Sequence, residues 1–301
     1  MSVYKDYIGN YYQAIQKYKD SMNEQVIAQN VITVLKFVRD ADAMPTELFN
    51  FQDKTKILGE ETYKYDVFEK AHEALGLDAW VTTLIGSGSI CRHVANAMAY
   101  TDNLVNRRFA VPEFLNKLKT TDKQKLDKYE MALYEVYFGD DEEKAFRDAV
   151  SCFGAKYPLI AFLFFIKDKD RFLPTSPDTF DAIFSEMGIG FKMSQKCSWE
   201  NYCKFIAIIS CVRDYISAAG LFEHAVSLLD AHSTVWIMNN EKYKSWHNSK
   251  NDINIPMKPK DIRTEANGTV MYQCPRCDLL FKKARRCPEC GQSILKMVNN
   301  I

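Results

Sequence analysis

Four cysteines near the carboxyl end constrain this chain more than any other feature of its sequence. They form two Cys-x-x-Cys pairs, Cys274 with Cys277 and Cys287 with Cys290, and nine residues separate the pairs. In such a turn both sulfurs can point at one ion, so two turns supply the four thiolates of a tetrahedral, structural zinc site. A segment this short cannot bury a core of its own, so we expect metal binding to supply its folding free energy.

The residues around the cysteine pairs agree with a zinc site. Pro275 and Pro288 favour turns, and Gly291 suits a tight exit from the second pair. Because cysteine fills all four ligand positions, no position is left open for catalysis. The segment 272–291 resembles a short zinc ribbon of the double-knuckle kind, which implies a small β fold around one ion. We therefore predict structural Zn²⁺ as the cofactor and a zinc ribbon over residues 268–301.

The remaining cysteines and the apolar pattern indicate a compartment. The chain has nine cysteines, and the five outside the paired motifs are scattered through apolar or mixed contexts. This usage is typical of a reducing compartment, not of a disulfide framework. The first residues lack the pattern of a secretory signal, and the longest apolar run, 157–166, is far shorter than the about 20 residues that span a bilayer. We expect a cytoplasmic protein with no membrane partner.

Charge divides the chain in a way that its total hides. Lys plus Arg and Asp plus Glu number 39 each, so the formal net charge is zero. Residues 241–301 contain twelve basic and six acidic residues, a net of +6, which leaves −6 on residues 1–240. A basic group lies in and between the cysteine pairs, where it could contact phosphates or balance the charge of the zinc–thiolate centre. Its members are Arg276, Lys282, Lys283, Arg285 and Arg286. Nucleic acid and a protein are both candidate partners of this group.

Apolar residues at helical spacing predict a mainly α-helical body over residues 1–240. The expected helices are two within residues 1–40 with a break near 21–23, then 60–76, one after 86–89, 122–137, 141–152, 178–187, 198–219 and 222–238. The apolar run 157–166 fits a buried strand as well as a buried helix, so one or two short strands in the body are an open alternative. Polar residues and prolines over 241–267 predict a linker.

Three stretches in the centre of the chain combine polar and aromatic residues. They are KDKDRFLP at 167–174, CSWENY at 197–202 and LLDAHSTVW at 228–236. Together with TFD at 179–181, they resemble a segment of uncharacterised bacterial proteins, some of which belong to restriction or phage-defence systems. The resemblance covers 167–236. It implies a role with foreign nucleic acid and assigns no activity to any residue.

The central carboxylates allow a catalytic interpretation. They could hold Mg²⁺ while His232, near Asp230 in sequence, activates a water molecule. Solvation in a charged turn, a helix dipole and separate helix faces explain the same residues without catalysis. The carboxylates are Asp168, Asp170, Asp181 and Glu200.

Two further features have a functional and a structural interpretation. Trp199, Tyr202 and Phe205, with Arg171, could stack on a nucleobase, or they could be core residues at helical spacing. The turn Gly86-Ser-Gly-Ser89 precedes a predicted helix and could bind a phosphate on backbone amides, although it lacks the ending of a P-loop. A plain flexible turn explains it equally.

The sequence therefore predicts a mainly α body with a small C-terminal β zinc ribbon. As function we expect a nucleic-acid-associated recognition or regulatory component, belonging to a bacterial phage-defence system. A metal-dependent nuclease that uses the central carboxylates and a non-catalytic protein-interaction scaffold are the alternatives. Whether the protein is an enzyme stays open.

Overall fold

The computed structural model describes the backbone of residues 2–43 and 48–251 and three strands between 262 and 281, with side chains for 10–43 and 48–249. These residues form twelve α-helices. Helices α1 to α6 are Ser2–Lys19, Glu24–Ala41, Tyr63–Leu75, Ser89–Ala97, Ala110–Leu118 and Lys123–Phe138. Helices α7 to α12 are Glu142–Phe153, Tyr157–Phe165, Pro177–Glu186, Trp199–Ala219, Leu228–Trp236 and Glu241–Asn251. Strands β1 to β3 are Ile262–Thr264, Val270–Gln273 and Leu280–Phe281.

The chain divides into two compact units. The first unit, Met1–Asn240, contains helices α1 to α11, so a mainly helical body is confirmed. The second unit, Glu241–Ile301, contains helix α12 and the three strands. No helix among the described residues combines the length and the apolar character that crossing a membrane requires.

Several helices of the first unit start at a residue whose side chain accepts hydrogen bonds from backbone N–H groups of the first turn. The side chain of Asn23 accepts hydrogen bonds from the backbone N–H of Gln25 (3.1 Å) and Val26 (3.3 Å) at the start of α2. Ser198 caps α10 in the same way. At the other end of α10, Gly220 has a φ of +61°, a left-handed conformation that glycine adopts without strain. Caps of this kind are visible in sequence, so these limits match the predicted ones closely.

The apolar run 157–166 forms helix α8, which lies in the core of the first unit. Every side chain from Leu159 to Ile166 has no exposed surface. Pro158 stands in the first turn, where its missing N–H costs no helical hydrogen bond. A helix that is apolar on all sides must be buried on all sides, and α6 and α7 pack against this one. The strand alternative for 157–166 is wrong.

The longest helix, α10, organises the other half of the first unit. Helices α1, α2, α7 and α11 pack against it, and most of its residues from Tyr202 to Val212 are buried. A hydrophobic stripe on one side would cover one neighbour only, so a helix with partners on several sides carries apolar residues around most of its circumference. This explains why aromatic residues crowd its first turns.

An isolated β-type contact links two loops of the first unit. Phe49 and Phe222 form an isolated parallel bridge, in which the Phe49 N–H donates to the Leu221 carbonyl (2.9 Å) and the Glu223 N–H donates to the Phe49 carbonyl (3.1 Å). The Phe222 ring also stacks on Phe51 at 5.0 Å between centroids. These contacts hold residues 221–223 outside any helix, and α11 begins only at Leu228, so the predicted helix 222–238 is wrong in its first part. Within residues 2–43 and 48–240 no strand forms.

The second unit begins with a helix where the sequence predicts a linker. In α12 the Lys244 ammonium donates to the Glu241 carboxylate (3.0 Å), and the rings of Tyr243 and His247 stack at 5.4 Å. Both pairs have the three- and four-residue spacing that stabilises a helix. The strands follow as an antiparallel sheet in the order β1-β2-β3, with Ile262 opposite Tyr272.

Candidate functional site

The predicted zinc ligands and the basic group lie outside the described residues. Strands β2 and β3 pair antiparallel, with Gln273 opposite Leu280. The six-residue connection 274–279 between these neighbouring strands includes Cys274 and Cys277. Zinc binding stays a prediction from the cysteine spacing. The same holds for Cys287 and Cys290 and for the basic residues Arg276, Lys282, Lys283, Arg285 and Arg286.

Asp168 and Asp170 have local partners in the turn after α8. The Asp168 carboxylate accepts the backbone N–H of Asp170 (3.0 Å), which fixes the turn. The Asp170 carboxylate pairs with the neighbouring Lys169 at 3.1 Å, and 70% of its side-chain surface is exposed. An exposed pair between sequence neighbours is the arrangement expected of a solvated turn.

Asp181 and Glu200 also have separate tasks. Asp181 accepts the backbone N–H groups of Met193 (2.5 Å) and Ser194 (3.2 Å), so it closes the loop after α9. Glu200 pairs with Lys204 at 2.8 Å in the first turn of α10. Among the described residues, no group of three or more His, Cys, Asp or Glu side chains is arranged to hold a metal ion.

The central aromatic residues belong to the core. Tyr202 and Phe205 have no exposed surface. The Tyr202 hydroxyl donates to the Leu173 carbonyl (2.7 Å) and accepts the Leu173 N–H (3.1 Å), which satisfies it completely. A nucleobase could not reach these rings without opening the core, so the stacking interpretation is wrong for these two residues. Trp199 is half-buried and remains accessible.

The structure joins His232 to a residue that no sequence pattern singles out. Lys64, on α3, is 1% exposed, and its ammonium lies 3.2 Å from His232 Nδ1 and 3.3 Å from the Ser233 hydroxyl. Its third neighbour is the Glu61 carboxylate at 2.6 Å. A lysine ammonium has three donors, and this one faces three acceptors. The cluster borders a cavity of about 60 Å³ that Trp236 also lines.

The hydrogen bonds of His232 determine its tautomer. Its Nε2 lies 3.0 Å from the Pro174 carbonyl, which can only accept, so Nε2 carries the proton. Nδ1 then offers a lone pair to Lys64. Burial, reinforced by the Lys64 charge, holds the pKa of His232 well below its usual range, and burial lowers the pKa of Lys64 despite the nearby Glu61.

Asp230 does not act on His232. Its carboxylate accepts the backbone N–H of Ser227 (2.8 Å) in a capping box at the start of α11, and it also accepts the Tyr65 hydroxyl (2.8 Å). Burial and the Asp230 charge raise the pKa of Tyr65. The two residues of the predicted water-activating pair therefore have different partners, as their separation by two positions on a helix indicates.

The glycine turn before α4 does bind an anion, and the anion is a carboxylate of the chain itself. Fully buried Glu130 accepts the backbone N–H groups of Gly86 (2.7 Å), Gly88 (3.1 Å) and Cys91 (2.9 Å). Both glycines have a positive φ, which turns their amides inward. These amides are not free for a phosphate, so the phosphate-binding interpretation is wrong.

A second cavity, of about 440 Å³, lies between α1 and the first turns of α7 and α10. Of the residues whose side chains the structure describes, four carboxylate residues and no lysine, arginine or histidine line it. Aromatic residues of α1 and α10 complete it, among them Tyr11 and Trp199. No sequence pattern groups these residues, because they come from positions 10–18, 141–143 and 199–203 and meet only through packing.

The chain was compared with protein-family models, with curated proteins and with solved structures, and none of them matches it. Its function therefore has to be inferred from its own residues.

Proposed function

We propose that this protein is a nucleic-acid-associated recognition or regulatory component that acts in the cytoplasm as part of a bacterial phage-defence system. Its C-terminal unit binds one structural Zn²⁺ ion through Cys274, Cys277, Cys287 and Cys290. The observation that supports the proposal best is the paired cysteine spacing with five basic residues in and between the pairs. The strands that precede and follow residues 274–279 in the chain pair antiparallel.

The distribution of charge favours phosphate as the partner of the second unit. Residues 241–301 carry a net charge of +6 on a chain whose total is zero. Lysine and arginine that neutralise phosphates release condensed counterions, so such binding weakens steeply with salt. A zinc-organised basic unit in the same chain as an acidic helical unit can contact nucleic acid without the whole protein binding it indiscriminately.

Gel-shift titrations of the full chain over a range of salt test the proposal. Replacing Lys282, Lys283, Arg285 and Arg286 together by alanine should weaken binding. It should also flatten the dependence of log affinity on log salt by about 0.9 for each phosphate that is no longer neutralised.

The matched control removes four basic charges from exposed ion pairs of the helical unit. Its targets are Lys123, Lys125, Lys144 and Arg147. This control should bind nearly as the unchanged protein does. Equal binding and equal salt slopes for all three proteins would end the proposal.

The same titrations separate the alternatives. Cleavage of the nucleic acid that requires Mg²⁺ and disappears in Asp170→Asn or Glu200→Gln would favour the nuclease. A stable co-purifying protein without nucleic-acid binding would favour the interaction scaffold.

A further inference from the structure

We propose that Lys64 forms an imine with a small aliphatic aldehyde that enters the cavity of about 60 Å³ beside its ammonium group. Lysine amines that are desolvated in apolar surroundings form such adducts with carbonyl compounds. The inference concerns the helical unit alone and does not depend on zinc or on nucleic acid.

The reacting end of Lys64 lies at the wall of this cavity. Its Nζ is 3.2 Å from His232 Nδ1 and 5.5 Å from the centroid of the Trp236 ring, and both of these side chains line the cavity together with Lys64. Only 1% of the Lys64 surface is exposed to solvent. A molecule in the cavity therefore approaches a nitrogen that bulk water hardly reaches.

Burial prepares Lys64 for this chemistry. It lowers the pKa of Lys64 although the Glu61 carboxylate lies 2.6 Å from the ammonium. A lower pKa increases the fraction of neutral amine, which is the nucleophile, at neutral pH. His232 Nδ1 turns a lone pair toward the amine, because the proton of this ring is on Nε2. The imidazole therefore holds the nitrogen in place without adding a second cation.

The lining suits a small, uncharged ligand. Apart from Lys64, the described residues of the lining carry no charge at neutral pH, because they include no carboxylate or arginine and the pKa of His232 is held well below its usual range. Leu104, Pro174 and Phe180 supply apolar wall. A cavity of about 60 Å³ has room for about four water-sized groups at about 15 Å³ each, which is the size of propanal.

The reaction is a condensation that needs no further reagent. Lys64 passes one proton to Glu61, and the freed lone pair of Nζ bonds to the carbonyl carbon while the π pair moves to the oxygen. The oxygen takes that proton from Glu61, and Nζ releases a second proton to the same carboxylate. The second proton leaves with the hydroxyl as water, and the nitrogen lone pair closes the C=N bond. The products are one water molecule, ionised Glu61 and a protonated imine whose remaining N–H faces Glu61.

Reductive trapping with propanal and cyanoborohydride in the full-length protein at neutral pH tests the site. Cyanoborohydride reduces the imine to a stable propyl amine, and peptide mass mapping measures the labelling rate of each lysine. We expect Lys64 to be labelled about tenfold faster than Lys125, since each unit by which a lysine pKa is lowered raises its amine fraction about tenfold. Lys125 is the matched lysine, because it also pairs with a carboxylate three residues earlier, at 3.5 Å, but 62% of its side chain is exposed.

Two comparisons on the unchanged chain test whether the cavity causes this preference. The bulkier pivaldehyde should label Lys125 but not Lys64. In urea that unfolds the protein, propanal should label the two lysines at the same rate, because the cavity and the burial are lost. If propanal labels Lys64 no faster than Lys125 in the folded protein, or if the preference persists in urea, the proposal is overturned.

A narrowed cavity supplies the variant test. Asn103 lines the cavity and is exposed, so Asn103→Phe should obstruct it without disturbing the core and should abolish the preference for Lys64 over Lys125. The matched control is Asn116→Phe, at an exposed position of α5 that does not line the cavity, and it should keep the preference. An unchanged preference in Asn103→Phe, or an equal loss in both variants, would overturn the proposal.

Discussion

At the scale of single residues, two charged groups buried in the helical unit, Glu130 and Lys64, are matched to specific partners. Glu130 has no exposed surface and receives three backbone N–H groups, and Lys64 is held by three acceptors. Buried charge is tolerated only where hydrogen bonds or an opposite charge compensate for lost hydration. Each of these residues therefore holds its own helix to the segment that supplies its partners.

Glu130→Gln should destabilise the helical unit by about 3 kcal/mol, because the amide group cannot accept all three N–H groups and brings its own donors toward them. Urea unfolding followed by circular dichroism measures the change. Asp127→Asn, one turn earlier on α6 and in an exposed pair with Lys123, should cost less than about 1 kcal/mol. Equal costs would show that the three hydrogen bonds do not stabilise the turn.

His232 should make stability depend on pH. The pKa of His232 is lowered in the folded state, so the unfolded chain binds the proton first as pH falls below about 6.5. The free energy of unfolding therefore declines below this pH, by up to about 1.4 kcal/mol per pH unit. His232→Gln retains an acceptor for Lys64 and a donor for the Pro174 carbonyl but cannot titrate. The difference between the two proteins in unfolding free energy should shrink from pH 7.5 to 5.5. A constant difference would contradict the assignment.

At the scale of elements, local caps explain which helix limits can be predicted from sequence. Ser198 begins α10 and Gly220 ends it, as the pattern indicates. The sequence does not predict helix α5, because Phe109 supplies no side-chain cap and Pro112 resembles a breaker, although its place in the first turn is harmless. The sequence predicts a helix from residue 222, but α11 begins only at Leu228. Phe222 instead contacts Phe49 and Phe51, which are distant in sequence.

Ser198→Ala should cost about 1 kcal/mol, since it removes the acceptor for the Asn201 N–H at the start of α10. Ser176→Ala is the control, because Ser176 precedes α9 without a side-chain cap bond. It should cost clearly less in the same urea titration. If the two variants are equally stable, the α10 cap contributes little.

The candidate sites also differ in how far the sequence predicts them, because some are built from neighbouring residues and others from distant ones. The proposed zinc site can be predicted from the sequence because its four cysteines lie close together along the chain. The cavity lined by Tyr11, Glu142 and Trp199 cannot, because tertiary packing alone assembles it. Lys64 escapes prediction for a similar reason: a lysine is usually exposed, and only its partners on α11 show why this one is buried.

At the scale of the whole molecule, the two units differ in their apolar cores. The first, helical unit has an extensive core, whereas the sequence of the second unit supplies few residues for a core. Helix α8 and its neighbours bury large aromatic and aliphatic side chains, so the first unit can fold without metal. The second unit, as we propose, depends on its ion. A chelator should then leave the helical circular dichroism and the thermal transition of residues 1–240 in place while it abolishes nucleic-acid binding. Loss of both together would contradict two independent units.

The zinc content of the purified full chain tests the proposed metal site most directly. Elemental analysis should find about one zinc per chain, and Cys274→Ser with Cys277→Ser should lose it, because a four-cysteine site cannot close with two ligands. Cys203→Ser with Cys211→Ser, which alters two of the cysteines that lie outside the pairs, should keep it. A chain that contains no zinc, or that retains it without the first cysteine pair, would contradict the proposal.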